Sequence, residues 1–503
     1  MHTTLLLDMA ADAAPDRLAM GEMAEGVSFA ETQARARAGA AWLAVYEADT
    51  VVFLGLNGPA MPVALFASGL LGRPFAPLNY RLPDVDLNRL LARTAPSVAI
   101  VDDDMVGRLQ PTAGVSVVAR SAFEAACLDP AHRDQELPYV DPDIGVLLFT
   151  SGTTGEPKAA ILRHRNLTSY VISTVEFLGS GEDEAALVSV PAYHIAGISA
   201  ALTGVYGGRR TVHLPAFTPE AWVDLAKAEK VTHAMVVPTM LGRILDVLEL
   251  RGERLPALKA LSYGGGRMPQ PVIERAMKLL PHVDFVNAYG LTETSSTIAV
   301  LGPEDHRQAI SSSDEHVRRR LASVGQPLPS VEVEIRGPDG EVLPPGQPGE
   351  IYVRGEQVSG EYAHKSALRE DGWFPTNDGG WLDEDGYLFV EGRLDDVIVR
   401  GGENISPGEI EDVLRQHPQV ADVAVLGLPD QEWGERVAAV VVPAGDPPST
   451  EGLADWVRAR LRSTRTPEVW EFRAALPYND TGKLLRRQLR AEMAAAAKGP
   501  AGT

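Results

Sequence analysis

Between about residues 51 and 300, short β-branched apolar runs alternate with longer Ala- and Leu-rich stretches. The runs include VSVVAR, AALVSVPAYH, RRTVHL, THAMVVP, KALSYGGG and VDFVNAYG, and several of them end in small or polar residues. This alternation predicts layered helices and strands with a parallel sheet, in which ligands gather at the carboxyl ends of strands. The most apolar window, VVFLGLNGPAMPVALFASGLLG, is interrupted by Asn57, Gly58, Pro59 and Pro62. It predicts a strand, a turn and a buried helix, and not a membrane span. From Ser323 to Val390 the texture changes to strands punctuated by Gly and Pro, such as GEIYVRG and GYLFVEGR. A mostly antiparallel β-region is expected there. After GRLDD an α+β segment follows, with an amphipathic helix in SPGEIEDVLRQHP, and the tail MAAAAKGPAGT is expected to fray. The fold class is α/β: a large N-terminal domain of layered α/β subdomains plus a small β-region, then a small α+β C-terminal domain.

Composition narrows the choice of partner. A chain of 503 residues exceeds one ordinary core and predicts roughly two to four domains. Its formal net charge of −22 disfavours nucleic acid or an anionic membrane as the main partner. Cys127 is the sole cysteine, which excludes intrachain disulfides and thiolate-rich metal sites. The N-terminus has no basic n-region and acquires acids early, so it does not read as a signal peptide, and the cytoplasm is the default expectation.

Five stretches place reactive groups where strands should end. LLFTSGTTGEPK runs from an apolar strand into a loop of small hydroxylated residues and glycines closed by Lys158. Gly152 and Gly155 permit left-handed backbone and close approach of a ligand, Thr150, Ser151, Thr153 and Thr154 offer hydroxyls, and the lysine offers charge. That combination suits a polyphosphate. The spacing departs from GxxxxGK[ST], so it is not a P-loop. PAYHIAG puts His194 between a strand and a helix, where a satisfied structural histidine is the commoner outcome. SYGGGRMP closes a strand with Gly264, Gly265 and Gly266, which suits a flat ring but also a plain turn. NAYGLTET offers Tyr289, Thr292 and Glu293, and a carboxylate opposite a phosphate loop can hold Mg²⁺. GWFPTNDGG supplies Asp378, expected in a turn, either capping that turn or contacting ribose hydroxyls.

Taken in order, FTSGTTGEPK, PAYHIAG, YGLTET, GWFPTND, GRLDDVIVRGGENISPGEIE and NDTGK resemble the adenylate-forming superfamily of acyl-CoA synthetases, peptide-synthetase adenylation domains and firefly luciferase. The resemblance spans about residues 28–490 and is most like the aryl and fatty acyl-CoA ligases. It implies attack of a carboxylate on the α-phosphate of ATP with Mg²⁺, then transfer of the acyl group from the adenylate to a thiol, with coenzyme A expected. It further implies an N-terminal domain, 1–394, and a mobile C-terminal domain, 395–503, that rotates about Asp395. By motif, Thr150, Ser151, Gly152, Thr153, Thr154 and Lys158 would cradle the β- and γ-phosphates. Thr292 and Glu293 would hold the α-phosphate and the metal, with Glu293 the metal ligand. Gly264, Gly265, Gly266, Asn287, Ala288, Tyr289 and Gly290 would line the adenine and acyl pockets, with His194 at the latter. Asp378, Val390 and Arg393 would hold the nucleoside. Lys483 would be the catalytic cation, and Arg81 and Trp433 would meet coenzyme A.

Departures from the pattern matter as well. Asn377 replaces a usual glycine, and asparagine tolerates the left-handed region. Thr464 and Arg465 stand where relatives often carry an aromatic residue and a lysine, which removes one expected contact to coenzyme A. Gly266 replaces a common alanine and widens the cleft, and no acid or base lies among Ile195, Gly197 and Ile198. A bulky hydrophobic carboxylic acid is therefore expected. The alternatives are an adenylating enzyme that passes its product to an acyl carrier protein, a luciferase-like oxygenase and a non-catalytic nucleotide sensor.

Overall fold

The computed structural model describes residues 1–133, 135–137, 143–150, 157–363, 365–479 and 484–497. Two large sheets form the bulk of the chain. In the first, of eight strands, Phe75–Pro77, Thr50–Leu54, Ser97–Val101 and Val115–Ala119 run parallel. Thr50–Leu54 and Ser97–Val101 are buried along their whole length, as a parallel sheet covered on both faces requires. Helix Ala60–Leu70 covers it, and the broken apolar window becomes the expected strand, turn and buried helix. An antiparallel hairpin, Ile144–Thr150 with Lys158–Arg163, extends the sheet, with Thr150 opposite Lys158.

The second sheet has nine strands, with Ala185–Val188, Arg210–His213, His233–Val236, Ala260–Gly264 and Asp284–Leu291 parallel. Its core is filled by Trp222, Tyr263 and Phe285. Asn57, at the turn after the first sheet's strand Thr50–Leu54, donates to the carbonyls of Val190 (2.9 Å) and Leu214 (3.3 Å), so one side chain ties the two sheets together.

The antiparallel β-region is a four-stranded sheet of Glu332–Arg336, Gly349–Arg354, Phe374–Leu382 and Leu388–Arg393. Two departures from expectation occur here. Asp378 lies inside strand Phe374–Leu382, not in a turn; the turn-like composition reflects Asn377, held at φ 59° within the strand. Residues Glu361–Tyr362 leave this region and pair with the hairpin that extends the first sheet, Tyr362 opposite Ala160.

The C-terminal segment builds a separate five-stranded sheet around the long hairpin Val420–Asp430 and Gly434–Pro443. Helix Pro407–Arg415 buries Ile410 and Leu414 against it. The final helix, Arg486–Ala497, continues through residues expected to fray, because Leu489 and Met493, one turn apart, sink into the core under the hairpin. Residues 498–503 lie outside the described residues. Ser406 Oγ donates to the Glu391 carbonyl at 3.2 Å, and Arg267 pairs with Asp412, so these contacts join this segment to the rest. A cleft of about 1050 Å³ runs along the seam past Tyr352, Gly379, Asp396 and Ser406. Among the described residues no helix is long and apolar enough to cross a membrane.

One buried charge ties helix Pro407–Arg415 to the sheet and the final helix of this segment. Glu411, 3% exposed, accepts two bonds from Arg486 and one from the Val425 N–H at 2.7 Å. Burial pushes its carboxyl up, but the guanidinium of Arg486 and the other contacts outweigh this and hold it below the ordinary value. Its contribution is therefore complete above the unfolded carboxylate range and is lost as pH falls through the folded value. Glu411→Gln should destabilise the protein by up to about 3–5 kcal/mol at neutral pH, because it leaves the buried Arg486 with only Asp396, 3.6 Å away, as a charged partner. Urea unfolding should show the gap to the unsubstituted protein narrowing once pH drops below about 4.3. A gap that stays constant with pH would refute the assignment.

Candidate active site

Strand ends from three sheets converge on one place. The hairpin of the eight-stranded sheet brings Thr150 opposite Lys158, and the Thr150 hydroxyl donates to the Lys158 carbonyl at 3.4 Å. Ser151, Gly152, Thr153 and Thr154, which connect the two strands, lie outside the described residues. Lys158 is the first residue of its strand and not a loop residue, and its ammonium sits 6.0 Å from the centroid of the Tyr362 ring. At that range the ring attracts the cation without neutralising it.

The nine-stranded sheet contributes strand Asp284–Leu291, which runs past Tyr289 into a short turn, Thr292–Thr294. Backbone in the left-handed region follows at Ser295 (φ 56°) and Ser296 (φ 117°), a costly conformation that fixes the chain behind Glu293. Gln357, fully buried, donates to the carbonyls of Thr294 (3.0 Å) and Thr297 (2.8 Å) and so holds that turn. Glu293 accepts 2.6 Å from the Tyr362 hydroxyl. Four residues earlier, Tyr289 donates 2.6 Å to Asp378 Oδ2. Asp378 Oδ1 takes the Nε of Arg393 at 3.1 Å, and Arg393 also donates to the Thr376 carbonyl at 2.7 Å. Burial and the Asp378 charge push the Tyr289 phenol well above its ordinary value; burial and the Glu293 charge do the same for Tyr362. Both therefore remain proton donors at neutral pH.

The glycine-rich strand end is shaped by close approach. A side chain at Gly264 would run into the carbonyl oxygen of Ala288 on the neighbouring strand, and Gly265 takes φ 77°. Gly266 follows, exposed. Asn287 is buried and spends its amide on the Ser323 carbonyl at 3.1 Å, so its side chain supports the strand. Gly290 sits opposite Thr297, and Val390 packs in the same apolar cluster as Tyr289.

His194 occupies the N-cap of helix Ile195–Gly207, as the sequence predicts. Its ring lies 4.8 Å from Tyr193, Tyr193 lies 5.6 Å from Tyr80, and the Arg81 guanidinium lies 5.4 Å from Tyr80. An aromatic ladder thus connects two residues that the sequence singled out separately. Trp433, 47% exposed, stands on the C-terminal sheet with the Arg400 guanidinium 5.9 Å away. Arg465 is engaged by Glu403 (2.9 Å) and Glu409 (2.6 Å). Lys483 lies outside the described residues.

Sequence reasoning missed Tyr362, Arg393's second anchor at Thr376, and Gln357. Their spacing carries no signal; only the pairing of Glu361–Tyr362 onto a distant hairpin brings Tyr362 to Glu293.

The donor set fits a hard divalent cation with phosphates. Glu293 supplies one carboxylate whose second oxygen has no partner among the described residues, and Thr292 precedes it in the same short turn. Nearby, the buried hydroxyls of Ser295 and Ser359 lack a protein partner among the described residues, so the neighbourhood has polar capacity to spare. The cluster of His316, Asp383 and Asp385 elsewhere is explained internally: His316 and Arg320 bond Asp385, and Asp383 caps backbone N–H groups.

Comparison with known proteins supplies the family. Residues 7–363 match the AMP-binding enzyme family and residues 409–483 its C-terminal domain. The chain is 36% identical to a feruloyl-CoA synthase of an Amycolatopsis species over 88% of each protein. It is 33% identical to a fatty acid–[acyl-carrier-protein] ligase of Streptomyces coeruleorubidus, over 88% of this chain and 86% of that one. Among solved structures, o-succinylbenzoate CoA synthetase of Bacillus subtilis, in complex with its acyl-adenylate intermediate, superposes with a TM-score of 0.82 at 30% identity, covering 96% of this chain and 97% of that chain. This chain belongs to the AMP-binding enzymes, as an adenylate-forming ligase of the acyl-CoA synthetase type.

Proposed function

We propose that the protein activates a bulky, largely apolar carboxylic acid as its adenylate and transfers the acyl group to coenzyme A. The observation that carries this reading is the convergence of Lys158, Glu293 and Asp378, from three sheets, through the phenols of Tyr362 and Tyr289. In the first step a carboxylate oxygen of the acid attacks the α-phosphorus of ATP, and the bond to pyrophosphate breaks. In the second the thiol sulfur bonds the acyl carbon, the bond from that carbon to AMP breaks, and the thiol proton leaves.

The chain's own groups have separable tasks. Lys158, with the loop it closes, neutralises the departing polyphosphate. Glu293 would hold Mg²⁺, which would offset phosphate charge, and Thr292 would meet the α-phosphate. Arg393 and Tyr289 fix the plane of the Asp378 carboxylate, which accepts the ribose hydroxyls. Lys483, carried by the C-terminal segment, supplies the cation between the two reacting anions. The unit from Asp395 onward rotates between steps, and the Asn377 amide bond to Asp395, 2.9 Å, steadies the present pose. Trp433 offers coenzyme A a stacking face, and Arg81 faces its phosphates. The apolar stretch around Ile195 and Ile198, with Gly266 opening the cleft, suits an aromatic or fatty acid, in line with the acids that the relatives' names carry.

A second reading, delivery to an acyl carrier protein, is favoured by one observation. Arg465 is consumed by Glu403 and Glu409, so the departure from the family pattern is not compensated by a free cation at that position. Pyrophosphate release with a panel of acids, with and without coenzyme A, separates the readings. Aryl and fatty acids should release pyrophosphate, with turnover rising on addition of coenzyme A. Preference for acetate or an α-amino acid would overturn the pocket assignment, and indifference to coenzyme A would favour the carrier.

Lys483→Ala should cut adenylation by at least about a hundredfold while leaving reaction of a preformed acyl-adenylate with thiol largely intact. Single-turnover measurement of each half-reaction checks this. Equal loss in both would contradict a rotating domain that presents the lysine only in the first.

A further inference from the structure

Glu293 is 9% exposed, and a carboxylate at that depth is costly unless it is bonded. Among the described residues its side chain has one partner, the Tyr362 hydroxyl. The same short segment also grips its backbone: the N–H groups of Ser359 and Gly360 donate to the Glu293 carbonyl at 2.8 and 3.3 Å. Residues 359–362 thus hold this glutamate at two points.

That segment is itself locked to the phosphate hairpin. Tyr362 pairs with Ala160 and Glu361 with Ile161, and the Ala363 N–H donates to the Ala159 carbonyl at 3.0 Å. Arg163, at the far end of the hairpin strand, bonds Glu361 at 2.6 Å. The ring of Tyr362 consequently lies beneath Lys158 while its hydroxyl reaches Glu293. One side chain thus lies 6.0 Å from the Lys158 ammonium through its ring and bonds Glu293 through its hydroxyl.

We propose that Tyr362 is a positioning residue for the metal-bearing carboxylate. Its O–H occupies one oxygen of Glu293 and leaves the other to the cation, and its ring seats Lys158 independently. This rests on the reading of Glu293 as the Mg²⁺ ligand. A phenol that merely satisfied a buried acid would affect stability but not the metal's share of nucleotide binding.

The test uses the full chain and three variants: Tyr362→Phe, Tyr362→Leu and Glu293→Gln. ATP binding is titrated calorimetrically with Mg²⁺ and with EDTA, pyrophosphate release is followed against Mg²⁺, and melting is recorded. Tyr362→Phe keeps the ring and should bind ATP equally well in EDTA, although it should melt lower because Glu293 loses its one side-chain partner. The tightening of ATP by Mg²⁺ should shrink about three- to tenfold, and half-maximal Mg²⁺ should rise by a similar factor. Tyr362→Leu should in addition weaken ATP binding in EDTA, since the cation loses its seat. Glu293→Gln should abolish the Mg²⁺ effect. If it does while Tyr362→Phe responds to Mg²⁺ like the unsubstituted protein, the positioning role is overturned and the metal reading stands. If Glu293→Gln leaves the Mg²⁺ effect intact, the metal reading fails and the positioning role falls with it.

Discussion

Two phenol–carboxylate hydrogen bonds, each 2.6 Å long, hold the ends of three separate sheets against one another. Tyr289 and Glu293 leave the nine-stranded sheet four residues apart; the first reaches Asp378 on the antiparallel sheet, and the second is reached by Tyr362 on the eight-stranded one. A neutral donor facing a carboxylate makes a stronger bond than a neutral pair, and both phenols are kept protonated by their surroundings. The two bonds act with the Asn57 and Gln357 bonds and the backbone grip on Glu293 to fix these side chains to the fraction of an ångström that catalysis by positioning requires.

Charge is the second constraint. The chain carries a net charge of −22, yet its substrates are anions that must be pushed together. Many arginines are committed to structural pairs, such as Arg163 with Glu361, Arg267 with Asp412 and Arg486 with Glu411. Lys158 has no ion pair among the described residues, only the Tyr362 ring beneath it. The positive potential at the site is therefore local.

The candidate site residues were legible because each sits in a short motif at a strand end: His194 before its helix, Gly264 closing its strand, Glu293 just past its own. The α/β layering and the buried helix at Ala60–Leu70 followed from apolar texture alone. What the sequence hid was contact across long separations. Tyr362 meets Glu293 from 69 residues away, and only the departure of Glu361–Tyr362 from the antiparallel region toward another sheet makes that possible. Asp378 misled because Asn377, a turn residue by composition, holds its left-handed backbone inside a strand. The final helix misled in the opposite direction: its alanine-rich end reads as a loose tail until Leu489 and Met493 are seen buried on one face.

The central claim is that a carboxylate oxygen attacks the α-phosphorus and stays with AMP when the acyl group departs. Turnover of an ¹⁸O-labelled aryl or fatty acid with ATP, Mg²⁺ and coenzyme A, followed by mass analysis of the nucleotide, tests it directly. The account predicts AMP carrying one labelled oxygen and unlabelled pyrophosphate. Label in orthophosphate with ADP as the nucleotide product, or AMP without label, would contradict it.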